Sequence, residues 1–174
     1  MRATKKLTLS AMLVALGVVL MIVGGLVGVL DLTVCALVSL LVAFACVEIG
    51  SPYTWLVWVA TSLIAFIIPY CRTLAPLYLL IFGIYPILKG FIERTPRIVW
   101  YVLKLVFINI MLVLLSLVSE LMSGVPLVPL ENKIAVAAVY LVMNVGFIAY
   151  DMFITVMLRV YFGKFRNRIK NLLK

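Results

Sequence analysis

"LTLSAMLVALGVVLMIVGGLVGVL", Leu7 to Leu30, runs for 24 residues without a charge. A helix needs about 20 apolar residues to cross a hydrocarbon core of roughly 30 Å, so this stretch is long enough to span a bilayer. Of the 174 residues, 67% are hydrophobic and 12% charged, whereas soluble domains carry about 25% charged residues. Arg2, Lys5 and Lys6 precede the stretch as they would in a secretory signal. The apolar run exceeds the usual signal core and further spans follow, so it reads as a retained helix.

Breaks at Gly, Pro and charge place spans near 9–29, 32–49, 53–70, 73–91, 98–121 and 133–160. The expected fold is all-α: one polytopic membrane domain over 1–174 with six transmembrane helices and a basic tail from about 161 to 174. Thirteen of the 15 basic residues fall on one side of that arrangement. They are Arg2, Lys5 and Lys6, then Lys89, Arg94, Arg97 and Lys104, then Arg159, Lys164, Arg166, Arg168, Lys170 and Lys174. Arg72 and Lys133 fall on the other. Cytoplasmic loops are enriched in Lys and Arg, so both termini are expected in the cytoplasm. The net charge of +9 then reflects topology, with no nucleic-acid partner implied. The tail "RVYFGKFRNRIKNLLK", Arg159 to Lys174, interleaves bases with apolar residues. It suits a helix on an anionic inner leaflet, or a docking site for a cytoplasmic partner.

Chemistry is sparse. There is no histidine, and Cys35, Cys46 and Cys71 form no CxxC pair. No clustered acid pair, serine motif or G-x-x-x-x-G-K-[ST] phosphate loop occurs. We therefore expect no enzyme, no cofactor and no metal site, and any ATP energy has to come from a partner. A channel lacks a repeated polar face. Proton-coupled transport through Asp31, Glu48 or Glu120 lacks an inverted repeat.

Ala11 and Ala15 make a small-xxx-small stripe, extended loosely by Gly17. Such a stripe lets another helix approach closely, either one of this chain's own or one of a partner. In "KKLTLSAMLVAL", Lys5 to Leu16, it resembles the first helix of the S components of energy-coupling factor transporters. Length, span count and topology are similar over nearly the whole chain. The resemblance implies that Ala11 and Ala15 meet a coupling transmembrane subunit, which works with two ATPase subunits. It also implies that "GGLVGVLD", Gly24 to Asp31, is an external loop closing over the substrate. "FGIYPILKGFIER", Phe82 to Arg94, and Tyr150–Asp151 are similar to S-component-like proteins of Gram-positive bacteria. The implied function is capture of a vitamin or related micronutrient. The other reading is a non-transport membrane scaffold or regulator on the same plan. No ligand-reading motif of the thiamine, riboflavin, biotin or folate receptors is present, so the substrate stays open.

Ionisable and helix-breaking residues within spans mark structure or function. Pro86, with Gly83 and Tyr85, is expected to kink the fourth helix and to free a carbonyl near Phe82. Asp151 lies about 27 Å from the outer end of its span, where Lys89 or Lys104 is expected to neutralise it. Asp31, Arg72, Tyr78 and Glu120, with Asn109 and Asn144 deeper in, are the candidate substrate-binding residues. They would line an outward pocket bounded by Gly24 to Asp31 and by the outer halves of the fourth to sixth helices. Tyr78, Asn109 and Asn144 would suit a neutral or weakly charged, partly aromatic molecule, with Arg72 at the rim. Glu48, beside Gly50, Ser51 and Pro52, is expected to cap or pair at its turn.

The charge asymmetry makes one test direct. In intact cells, an impermeant thiol reagent should label an engineered cysteine near Lys133 and spare one near Lys170. Equal labelling of the two sites refutes the orientation.

Overall fold

The computed structural model describes residues 3–28, 31–72, 74–93, 96–123 and 133–165. Among them all regular structure is helical. Helices α1 (Ala3–Val27), α2 (Asp31–Glu48) and α3 (Tyr53–Ile67) come first. A fourth span, Leu74–Ile92, is assembled from α4 (Leu74–Leu77), a π-helical stretch (Tyr78–Phe82) and α5 (Tyr85–Ile92). Helices α6 (Arg97–Ser123) and α7 (Lys133–Val160) complete the bundle, with a π-helical continuation at Tyr161–Phe165. Five of the six segments are long and apolar enough to cross a membrane. The exception is α3, whose 15 residues measure about 22 Å. The sequence had suggested a span to residue 70. The helix stops at Ile67 because Ile68 precedes Pro69, which disfavours the helical conformation one residue earlier, and Ile68 is extended with ψ 119°.

Contacts between helix ends place the start of α1 and the end of α7 at one end of the bundle. Lys6 Nζ donates to the Ile49 carbonyl at the end of α2, at 3.0 Å. The Phe44 ring meets the Tyr161 ring just beyond α7, with centroids 5.4 Å apart. Lys104 near the start of α6 joins Glu93 at the end of the fourth span. The alternation of six antiparallel segments follows.

The core lies where α1, α2, α3 and the fourth span meet, and Met21, Val38, Val42, Val57, Leu74 and Tyr78 are fully buried there. Small residues make this possible. Ser10, Gly17 and Gly24 recur every seven residues on the buried face of α1. A Cβ at Gly17 would sit 3.3 Å from both Val38 and Thr61, and one at Gly24 would press into Val34. Gly24 and Gly25, expected to belong to an external loop that closes over the substrate, thus pack helices instead. Gly24 to Val27 are helical, and Asp31 already opens α2. The link between the two helices is three residues long, of which 29 and 30 lie outside the described residues.

The fourth span shows how a broken helix is kept satisfied in lipid, where freed backbone groups need partners from neighbouring helices. Pro86 has no N–H to give the carbonyl of Phe82, and Tyr150 Oη donates to that carbonyl at 3.2 Å. In the π turn, Gly83 N–H bonds back to Tyr78 at 2.7 Å rather than to Leu79. Trp58 Nε1 serves the Leu79 carbonyl at 3.2 Å. A Cβ on Gly83 would collide with the Trp58 indole, so glycine is what admits that donor.

Gly25 gives a sharp test of the packing. Its Cβ would run into the Tyr70 carbonyl, a backbone atom that cannot rotate away, whereas a Cβ at exposed Gly90 meets nothing within 4 Å. Alanine is the better helix former by about 1 kcal/mol. Gly90→Ala should hold or raise the unfolding temperature in detergent, and Gly25→Ala should lower stability by about 1–3 kcal/mol. Equal behaviour of the two variants would contradict the packing.

Candidate functional site

Three layers adjoin one another in the bundle, beginning near the end that holds the start of α1 and the end of α7. The first is an ionic cluster around Asp151, whose side chain is 17% exposed. Lys89 from the fourth span donates to Asp151 Oδ1 and to Thr155 Oγ1 at 2.8 Å. Lys104 from α6 donates to Asp151 Oδ2 at 2.7 Å. Glu93 accepts from both lysines, at 3.0 Å from Lys89 and 3.4 Å from Lys104. The sequence suggested one lysine for Asp151, and the structure brings both. Two cations and two carboxylates balance, as burial in a low-dielectric setting demands. Lys104 also lies 4.0 Å from the Trp100 ring centre, a cation–π contact that replaces some lost hydration.

The second layer is aromatic. Tyr85, fully buried, donates its hydroxyl to Asp151 Oδ1 at 2.5 Å. Its ring packs edge-on against Phe147, with centroids 4.7 Å apart, and touches Phe107 and Tyr150. Phe82 meets Tyr150 at 4.7 Å. The carboxylate thereby fixes a tyrosine that fixes the rings around it.

Beyond the rings lies the third layer, a cavity of about 530 Å³ between α2, the fourth span, α6 and α7. Ala36, Ile81, Phe82, Leu112, Phe147 and Tyr150 are among its walls. Its size lies within the range of ligand pockets, about 300–1,000 Å³. Phe82, Phe147 and Tyr150 belong both to the ring layer and to the cavity wall.

The candidate substrate-binding residues are not in these walls. Asn109 and Asn144 hydrogen-bond to each other, amide to amide, at 3.2 and 3.3 Å. Each also donates to the carbonyl four residues earlier in its own helix, at 2.8 Å. They join α6 to α7 and have no need of a ligand, because each satisfies the other in lipid. Tyr78 is fully buried in the core. Arg72 is exposed at the turn after Cys71, Glu120 is exposed on α6, and Asp31 sits in the first turn of α2. The polar pocket that the sequence suggested does not assemble from them. The side chain of Lys133 and the tail from residue 166 lie outside the described residues, and no group of His, Cys, Asp or Glu among the described ones could hold a metal.

Ala11 and Ala15 are both exposed, on the opposite side of α1 from Gly17. Gly17 belongs to the inward stripe and does not extend theirs. Glu93, Tyr150 and Trp58 were missed as partners in sequence. Tyr150 carried a signal, since the carbonyl freed by Pro86 needed a donor from somewhere.

No family model, curated protein or solved structure matches the chain. Fold and site together define an all-α polytopic membrane protein, with a buried ionic cluster beside an apolar cavity.

Removing one partner of a buried ion pair costs about 3–5 kcal/mol, because the remaining charge is left uncompensated. Asp151→Asn leaves two lysines to share the half-exposed Glu93 alone, whereas Lys104→Met leaves Lys89 on the Asp151 carboxylate. Thermal unfolding in detergent should therefore show a larger loss for Asp151→Asn than for Lys104→Met. An Asp151→Asn variant as stable as the parent would exclude the cluster as a structural keystone.

Proposed function

We propose that the chain is the substrate-capture subunit of an energy-coupling factor type importer. It would sit in the cell membrane with both termini in the cytoplasm and work with a coupling transmembrane subunit and two ATPase subunits. One observation carries the reading: Ala11 and Ala15 face away from the bundle, while a separate stripe, Ser10, Gly17 and Gly24, serves its interior. Their exposure disfavours a role in internal packing and leaves a smooth surface at the basic end of α1 for another helix. The cavity supports capture by giving a small molecule a place to reside. Its walls favour a molecule with a largely apolar body over the neutral or weakly charged, partly aromatic one that Tyr78, Asn109 and Asn144 had suggested. Transport itself is assigned to the assembly, since this chain has no phosphate-binding loop.

The test replaces both alanines with leucine. Ala11→Leu with Ala15→Leu should reduce co-purification with a coupling subunit at least tenfold while leaving the unfolding temperature unchanged, since neither site touches the core. Undiminished co-purification would overturn the proposal and favour a scaffold or regulator. Loss of folded protein would return the stripe to internal packing.

A further inference from the structure

We propose that the cavity binds a single fatty-acyl chain, admitted sideways from the bilayer through the gap between α2 and α7. This deepens the capture reading by naming the class of ligand, and it rests on that reading for the role of the bound molecule.

The lining decides the chemistry. Of its sixteen residues only Thr33 and Tyr150 carry a polar side-chain atom, and the Tyr150 hydroxyl is committed to the Phe82 carbonyl. A ligand donor or acceptor inside would lose its water and gain nothing, which disfavours polar molecules strongly. A hydrocarbon chain has no such groups. The shape points the same way. The α7 wall runs from Val142 to Phe153, about 17 Å at 1.5 Å per residue. An elongated cavity of about 530 Å³ along that wall suits an extended chain.

The mouth decides the route. Leu32 of α2 and Val142 of α7 are 55% and 66% exposed while also lining the cavity. Between them the rim is made of small residues: Ala36, Gly146 and Ala149. Val142, Gly146 and Ala149 lie on one face of α7, within the stretch Val136–Lys164 that is long and apolar enough to cross a membrane. Leu32 and Thr33 open α2, so the gap starts at the end of that helix and runs along α7 into the apolar span. An acyl chain in the bilayer can enter such a gap along its length with its polar head left at the Thr33 end. The Thr33 hydroxyl at the rim offers a polar contact for the head of the chain.

The probe is a palmitate analogue with a mid-chain diazirine, added to full-length protein in phosphatidylcholine nanodiscs. After irradiation, adducts are mapped by mass spectrometry. Adducts should concentrate on Leu112, Met143 and Phe147, well above the level at Val102, a 56% exposed residue outside the cavity. A Cβ at Gly146 meets no atom within 4 Å, so a side chain has room to start there and Gly146→Phe is chosen to fill the gap. Its cavity adducts should fall at least tenfold, with labelling at Val102 unchanged. Should Gly146→Phe melt below the parent, Ala149→Phe closes the same mouth and carries the comparison. Cavity labelling no higher than at Val102, or labelling unaffected in the closed-mouth variant, would overturn the proposal. Co-purification with the coupling subunit is read separately. If it persists while cavity labelling is absent, the acyl assignment alone falls. If it is absent while labelling persists, the importer reading alone falls.

Discussion

The bundle turns on one carboxylate. Asp151 takes Lys89 from the fourth span, Lys104 from α6 and the Tyr85 hydroxyl, and each of these would be costly to bury alone. Two ammonium groups around a single carboxylate would still leave an excess charge, and Glu93 at the more polar margin balances it. In lipid, apolar surfaces give helices little reason to prefer one neighbour or one register over another. An ion cluster does give such a reason. A slide of α7 by a single turn, about 5.4 Å, would separate the charges by more than a hydrogen bond can tolerate. The cluster thereby fixes the height at which the fourth span, α6 and α7 meet.

That height determines what lies beyond it. With Tyr85 held by Asp151, the rings of Phe107, Phe147 and Tyr150 stack around it, and Tyr150 is brought to the carbonyl that Pro86 leaves open. Phe147 and Tyr150 also line the cavity. A break in one helix is thus repaired by a side chain from another, and the repair depends on the register set by the ions. Trp58 does the equivalent from α3 at Leu79, so the fourth span is anchored at its break from two sides.

Several of these features were legible in the sequence because local chemistry dictates them. The uncharged runs show the spans, a proline frees the carbonyl four residues back, and an acid within a span calls for nearby bases. What the sequence left undetermined was direction. Ala11 and Gly17 look like one loose stripe on paper. Six residues at 3.6 per turn put them on different faces, and one proves exposed and the other buried. Gly24 and Gly25 read as loop residues, since glycine both breaks helices and permits close packing. The crowding at Val34 and Tyr70 shows which use prevails. Asn109 and Asn144 were recognised as needing partners, but 35 residues of separation conceal that the partner of each is the other. The cavity was invisible because its walls are ordinary aliphatic and aromatic residues drawn from four elements.

The two features offered for function lie on different parts of the molecule. The exposed alanines are on α1, which contributes nothing to the cavity wall, and the cavity borders α6 and α7. Helix α2 bridges the distance: it packs on α1 and α3 on one side and on the fourth span and α7 on the other. It also supplies Leu32, Thr33 and Ala36 to the mouth. The tight seats of Gly17 on Val38 and of Gly24 on Val34 bind α2 to α1 with little slack, so a tilt of α1 against a partner would carry α2 with it. The contact across the mouth, by contrast, is between small residues with open space at Gly146. Motion imposed at the stripe would therefore be taken up at the α2–α7 gap, where Gly146 leaves open space.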